Sequence, residues 1–117
     1  IGIVLEEISY ITKRLSAWAE PDKVDTPITI HPGSSYIYNV PYGVSLIIGA
    51  WNYPFQLTLA PLVGALAAGN CAILKPSELS EHTSHIIAQI VKDIFPEEYV
   101  AVMEGGVDVT QDLLAQK

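Results

Sequence analysis

The first twenty residues place hydrophobic side chains at steps of four and three residues, the spacing of one face of an α-helix. Polar side chains fill the opposite side, and Pro21 follows the pattern and ends it. The pattern predicts an amphipathic helix within residues 1–25, with its hydrophobic face packed against the rest of the protein. That face consists of Val4, Ile8, Ile11, Leu15 and Trp18.

Residues 26–42 carry a different pattern. Two short runs rich in β-branched and aromatic residues, 26–31 and 36–40, flank the sequence Pro-Gly-Ser at 32–34. Such runs around a turn sequence are typical of a β-hairpin. We therefore expect a hairpin that lies outside the repeating pattern of the following residues.

From residue 43 onward, continuous hydrophobic runs alternate with helical patterns. A continuous run is typical of a strand buried on both faces, and the alternation of strand and helix is typical of a parallel sheet with right-handed crossovers. The sequence thus predicts an α/β fold with a Rossmann-like, doubly wound parallel sheet over residues 43–117. The predicted strands are 44–48, 71–74 and 99–103, and the predicted helices are 57–68, 80–96 and 109 onward.

The amino-acid composition limits the classes of protein to which this chain can belong. Half of the 117 residues are hydrophobic and only 16% are charged, against about 25% charged in an ordinary soluble domain. This composition excludes intrinsic disorder. The chain begins at Ile1, and its last ten residues resemble the start of a helix. We therefore expect an internal piece of a larger protein.

The charge and cysteine content bear on partners and location. The net charge is −7 and no run of Lys and Arg is present, so nucleic acid and anionic membrane surfaces are disfavoured as partners. No hydrophobic run in this segment is long enough to span a bilayer. The single cysteine, Cys71, cannot form an internal disulfide, which favours a reducing compartment and predicts a cytoplasmic location.

Ligands of open α/β sheets bind beyond the carboxyl ends of the strands, which directs attention to the loops 49–55 and 75–78. A GxGxxG phosphate loop is missing after the first strand of the sheet. The first loop instead carries Asn52, whose amide could donate to an oxyanion or could cap the following helix. The second loop carries Lys75 and Glu78, which could hold a nucleotide ribose or could form an ordinary exposed pair.

Three motifs resemble a known family. Residues 51–55 read WNYPF, residues 68–71 read AGNC and residues 74–78 read LKPSE. In this order and on these elements they are similar to the NAD(P)-dependent aldehyde dehydrogenase superfamily, and closest to its class 3, fatty-aldehyde-like branch. The resemblance runs along essentially the whole chain, which corresponds to about a quarter of a complete family member.

The resemblance implies roles for individual residues. Asn52 takes the place of the family's oxyanion-stabilising Asn, Lys75 that of the Lys on the adenosine ribose, and Glu78 that of its acidic partner. Residues 43–117 would then be the first half of an NAD(P)-binding domain, with NAD or NADP as cofactor. The implied cofactor-binding residues are Ile48, Ala50, Trp51, Asn52, Lys75, Pro76, Ser77 and Glu78.

The resemblance also implies a reaction, the oxidation of an aldehyde to a carboxylic acid with hydride transfer to NAD(P)⁺. A thiohemiacetal and a thioester would form on a cysteine outside this chain. The alternatives are a coenzyme A-acylating aldehyde dehydrogenase and a non-catalytic nucleotide-binding module or truncated relic. The family uses a hairpin at residues 26–42 to contact a second subunit, so we expect a homodimer, and we expect the 117 residues alone to be inactive.

Other reactive side chains carry no predicted role. Cys71 opens a predicted buried strand, and free cysteines in such strands are usually inert, so it is not expected to be the nucleophile. His82 and His85 are three residues apart on a predicted helix and lack the HExxH spacing of a zinc site. We therefore predict that this chain binds no metal.

Overall fold

The computed structural model describes residues 1–116; Lys117, the last residue of the predicted sheet domain and its final helix, lies outside the described residues. The described chain contains five α-helices and five strands, with short 3₁₀ turns at Ile28–Ile30 and Glu78–Ser80. The helices are α1 (Gly2–Thr12), α2 (Leu15–Trp18), α3 (Pro54–Ala67), α4 (Glu81–Ile94) and α5 (Val107–Leu114). The strands are β1 (Asp22–Val24), β2 (Ser35–Ile37), β3 (Val44–Ile48), β4 (Cys71–Lys75) and β5 (Val100–Val102).

Strands β3, β4 and β5 form a parallel sheet in that order, so the predicted α/β fold class is confirmed. Each neighbouring pair of strands is joined by a helix, α3 between β3 and β4 and α4 between β4 and β5. Parallel neighbours need such a crossover, because the chain must return to the same end of the sheet. The carboxyl ends of all three strands therefore lie at one edge.

The hydrophobic core lies on one face of this sheet. Leu74 of β4 and Ile87 of α4 are fully buried, and Leu62 of α3 is 4% exposed. Burying a side chain of this size contributes about 1.5–3 kcal/mol. Because α3 and α4 both contribute to this core and contact each other, both crossover helices lie on the same face. On the opposite face Val44 and Ile48 of β3 stay 64% and 47% exposed.

The N-terminal segment differs from the single packed helix that its pattern predicts. The helix α1 ends at Thr12, where Arg14 N–H bonds to Ile11 C=O (2.9 Å) and so tightens the last turn, and α2 begins at Leu15. Val4 and Ile11 are buried, but Trp18 is 48% exposed. The remaining residues of the predicted hydrophobic face, Ile8 and Leu15, are exposed as well. The helix α3 packs along α1 and covers only a narrow strip of that face.

A β-hairpin is present, but its first strand is earlier than predicted. The strand β1 (Asp22–Val24) pairs antiparallel with β2, while Ile28–Ile30 within the predicted first run forms a 3₁₀ turn. Pro27 explains the difference, because it has no N–H to donate to a strand ladder. The hairpin loop is closed instead by Thr26, whose hydroxyl accepts from Ser35 N–H at 2.9 Å.

Among residues 1–116, every helix is too short or too polar to cross a lipid bilayer.

Candidate functional site

The two loops singled out by the sequence lie side by side at the carboxyl edge of the sheet. The register of β3 and β4 places Ile48 opposite Lys75, and Gly49 N–H donates to Lys75 C=O at 2.9 Å. The helix α3 begins at Pro54, three residues earlier than predicted, because proline favours the first position of a helix. The first loop is therefore short, residues 49–53.

Lys75 is the last residue of β4 and is 1% exposed. Its ammonium group donates to Pro76 C=O and to the Glu78 carboxylate Oε2, both at 2.9 Å. A buried ammonium is stable only when its protons are bonded in this way. Within residues 1–116, two of its three protons have a partner, so the group is held in one place and its third proton can be donated to a ligand.

Glu78 begins the 3₁₀ turn after β4, and its side chain is 41% exposed. The hydrogen bond from Lys75 lowers the pKa of its carboxyl, and the Glu78 backbone N–H and the positive charge of Lys75 lower it further. The carboxylate is therefore anionic at neutral pH, with exposed oxygens that can accept from vicinal hydroxyl groups.

Asn52 lies in the loop between β3 and α3 and is exposed. The N-cap of α3 is Tyr53, and no side chain caps this helix end. Within the described residues, no hydrogen bond engages the Asn52 amide. Asn52 therefore does not cap α3, which was the alternative role, and its amide can donate to a ligand at the sheet edge.

The other predicted cofactor-binding residues divide into two groups. Ile48, Ala50 and Trp51 are exposed at the same edge and can contact a ligand directly. Pro76 and Ser77 are buried; the Pro76 carbonyl accepts from Lys75, and Ser77 Oγ accepts from the backbone N–H of Leu79. The second group therefore shapes the loop that carries Glu78.

Two buried polar residues that were not predicted to have a role bond to opposite ends of α3. Asn70 Oδ1 accepts from Gly43 N–H at 2.9 Å and its Nδ2 donates to Ala65 C=O at 3.3 Å, which ties the start of β3 to the end of α3. Thr58 of α3 is fully buried and donates to Pro54 C=O at 2.7 Å. A polar residue inside a hydrophobic helix pattern was the available signal for Thr58.

The remaining reactive side chains lie away from the two loops or stand singly. Cys71 is a free thiol at the start of β4, at the opposite end of the strand from Lys75. His85 Nδ1 lies 3.8 Å from Glu104 Oε2 on the surface. In the part of the chain that the structure describes, no three His, Cys, Asp or Glu side chains form a group that could hold a metal ion.

Comparisons with known proteins agree with this geometry. A family model described as the aldehyde dehydrogenase family matches residues 4–117. The "Aldehyde dehydrogenase, dimeric NADP-preferring" of Mus musculus is 44% identical over 100% of this chain and 26% of its own length. The "Aldehyde dehydrogenase family 3 member A2" of Pongo abelii is 44% identical over 97% of this chain and 24% of its own length.

The fold agrees with a solved structure as well. The substrate-bound Staphylococcus aureus AldH superposes with a TM-score of 0.94 at 46% identity, over 97% of this chain and 25% of that one. The chain therefore spans about a quarter of the length of the relatives it matches. The predicted resemblance to class 3 enzymes is confirmed, and the chain belongs to the aldehyde dehydrogenase family.

Proposed function

We propose that the protein carrying this chain oxidises an aldehyde to a carboxylic acid and uses NAD⁺ or NADP⁺ as the hydride acceptor. Family membership supports this reaction. The observation that carries it in the structure is the juxtaposition of two loops at one sheet edge. One loop presents the free amide of Asn52, and the other presents the Lys75–Glu78 pair (2.9 Å).

The residues at this edge fit a dinucleotide. The exposed, anionic Glu78 can accept from the hydroxyl groups of an adenosine ribose, and the remaining proton of Lys75 can be donated to the same sugar. Trp51 and Ile48 offer exposed hydrophobic surface beside them. When bound, the dinucleotide accepts the hydride that leaves the aldehyde carbon.

Asn52 is proposed to act on the aldehyde oxygen. A thiolate adds to the carbonyl carbon, a C–S bond forms, and the carbonyl π electrons move to oxygen. The Asn52 amide donates a hydrogen bond to that oxyanion. Because the amide is neutral and does not ionise, it stabilises the negative charge without transferring a proton to it. Loss of hydride leaves a thioester, which water hydrolyses to release the acid and the thiol.

The thiolate is proposed to come from a cysteine outside these 117 residues. Cys71 lies at the end of β4 opposite to Lys75, and that strand separates it from Asn52. A free, half-buried thiol in a hydrophobic strand usually serves only in packing.

Purified protein in its natural full length tests the reaction. Formation of reduced cofactor is followed with medium-chain and aromatic aldehydes, with and without coenzyme A. Reduction with release of a free acid in the absence of coenzyme A supports the proposal. Turnover only with coenzyme A identifies the acylating reaction instead, and binding without turnover identifies a nucleotide-binding module.

Replacing Glu78 with Gln is expected to raise the use of NADP⁺ relative to NAD⁺. The Glu78 carboxylate is anionic and exposed, so it repels the 2′-phosphate of NADP⁺. Two like charges about 4 Å apart in water repel by about 1 kcal/mol, which corresponds to roughly fivefold in the ratio of kcat/KM values. The measurement is that ratio in Glu78→Gln and in the control Glu81→Gln, a nearby exposed carboxylate. An unchanged ratio in Glu78→Gln would contradict the role.

We also propose that the protein is a homodimer that uses residues 26–42. This segment exposes hydrophobic side chains, including Ile28 (88%) and Tyr38 (66%), beside the two-stranded β1–β2 sheet. Exposed strand edges with such side chains invite pairing with another chain, and the mouse relative carries "dimeric" in its name. Sedimentation should show a dimer that Tyr38→Lys weakens and Ile86→Lys, on exposed α4, does not. A monomer at micromolar concentration would contradict this proposal.

The free thiol of Cys71 supports a reducing compartment, and we propose a cytoplasmic location.

A further inference from the structure

The hydroxyl group of Thr58 lies at the centre of the packing behind the Asn52 loop. Thr58 is in the second turn of α3, is fully buried, and donates to Pro54 C=O at 2.7 Å. A threonine often bonds the carbonyl four residues earlier in a helix, so this bond alone has no functional meaning. Its position becomes informative through a second contact, with Gly49.

Gly49 is the residue that follows β3, and it packs against this hydroxyl. A Cβ atom added to Gly49 would overlap Thr58 Oγ1, and it would lie 3.3 Å from Thr58 Cβ and 3.6 Å from Pro76 Cα. Gly49 does not have a positive φ, so this close approach is the reason that only glycine fits here. Its N–H is bonded to Lys75 C=O (2.9 Å), which prevents the backbone from moving away.

A single hydroxyl therefore contacts both ends of the loop 49–53. Gly49 is the first residue of that loop, and Pro54 directly follows its last residue. Asn52 lies between these points and has no side-chain hydrogen bond within the described residues. The position of the Asn52 backbone therefore depends on where the ends of the loop are held. Pro76 lies on the same side of Gly49 as Thr58, so Gly49 has no room to move without displacing one of these neighbours.

We propose that Thr58 is the positioning residue for Asn52, an inference that rests on the proposed aldehyde oxidation. Its hydroxyl touches neither substrate nor cofactor and acts through the loop. Misplacing a catalytic group by about 1 Å can cost on the order of 100-fold in rate. Thr58→Val keeps the shape of the side chain and removes its hydroxyl, so it isolates this effect.

The first test is kinetic. Thr58→Val is expected to lower kcat by about 10- to 100-fold and to change the KM for cofactor by less than about threefold, because Lys75 and Glu78 keep their own bonds. Thr58→Ser, which retains the hydroxyl, should restore most of kcat. Thr110→Val is the matched control, because Thr110 makes the same type of bond, to Gly106 C=O (3.2 Å), in α5. Equal kcat in Thr58→Val and wild type would overturn the proposal.

A second test does not depend on activity. Amide hydrogen exchange of the loop residues 49–53, measured without cofactor, should be faster in Thr58→Val than in wild type and in Thr110→Val. Unchanged exchange in Thr58→Val would overturn the positioning role, whether or not the protein oxidises aldehydes. Faster exchange in a protein that oxidises no aldehyde would refute the proposed reaction and leave the positioning of the loop supported.

A compensating pair covers the case in which Thr58→Val does not fold. Gly49→Ala should destabilise the protein, because the new methyl group overlaps the Thr58 hydroxyl. The double variant Gly49→Ala/Thr58→Ala removes the overlapping atom and should recover the thermal midpoint while kcat stays low. Recovery of wild-type kcat in the double variant would refute the need for the hydroxyl, and failure to recover the midpoint would refute the contact.

Discussion

Replacing Asn52 with Ala is expected to lower kcat by about 10²–10³, the usual effect of removing one oxyanion donor. The side chain is exposed and has no hydrogen bond within the described residues, so the free energy of unfolding should change by less than about 0.5 kcal/mol. Steady-state kinetics of the full-length protein and denaturant unfolding measure the two quantities. Asn52→Asp should be at least as damaging, because a carboxylate repels the oxyanion.

Asn70→Ala is the matched control for this variant. The Asn70 side chain is 4% exposed and bonds to Gly43 N–H and Ala65 C=O. Its removal leaves those groups without this partner and should cost about 1–3 kcal/mol of stability. The two asparagines are thus expected to show opposite profiles, with Asn52 affecting rate and Asn70 affecting stability. A stable Asn52→Ala enzyme with wild-type kcat would remove Asn52 from the reaction.

Replacing Lys75 with Met is expected to raise the KM for the cofactor by about 10- to 100-fold. Methionine keeps much of the buried hydrophobic stem, so the change removes mainly the ammonium group and its bonds. Hydrogen bonds that involve a charged group contribute about 1.5–3 kcal/mol each, and about 1.4 kcal/mol corresponds to a factor of ten. Cofactor KM values in Lys75→Met and in the exposed control Lys92→Met measure the effect.

The same variant should change the titration of Glu78. The hydrogen bond from Lys75 is the main cause of the lowered Glu78 pKa, so Lys75→Met should return that pKa toward its usual value. In the wild type, the pair contributes stability above the ordinary pKa of a glutamate, and this contribution is lost as the pH falls through the lowered pKa. NMR titration of the Glu78 carboxyl group in wild type and in Lys75→Met measures this change in pKa. An unchanged cofactor KM together with an unchanged Glu78 pKa would contradict both parts of the prediction.

Most of the sheet could be predicted from the sequence, because its signals are local. The run Val44–Ile48 is a strand within the predicted bounds, and α4 ends before Pro96 as its pattern indicates. The hairpin was harder, because residues 28–30 have strand-like side chains while Pro27 prevents ladder bonding at that point. The hydrophobic face of α1 and α2 is only partly covered, and the sequence could not predict this, because periodicity does not reveal how much of a face a neighbour covers.

The sequence by itself determined the class of fold, the family and the two loops that form the candidate site. These follow from hydrophobic periodicity and from motifs, which depend on residues close together in the chain. Only the tertiary structure decided that Lys75 is buried and bonded to Pro76 and Glu78, and that the Thr58 hydroxyl meets Gly49. Lys75, Pro76 and Glu78 are neighbours in the chain, but the burial of Lys75 comes from the packing around β4. Thr58 and Gly49 lie on different elements and meet because α3 crosses back over the sheet. Their geometry is set by how the helix packs on the sheet, which the order of residues does not state.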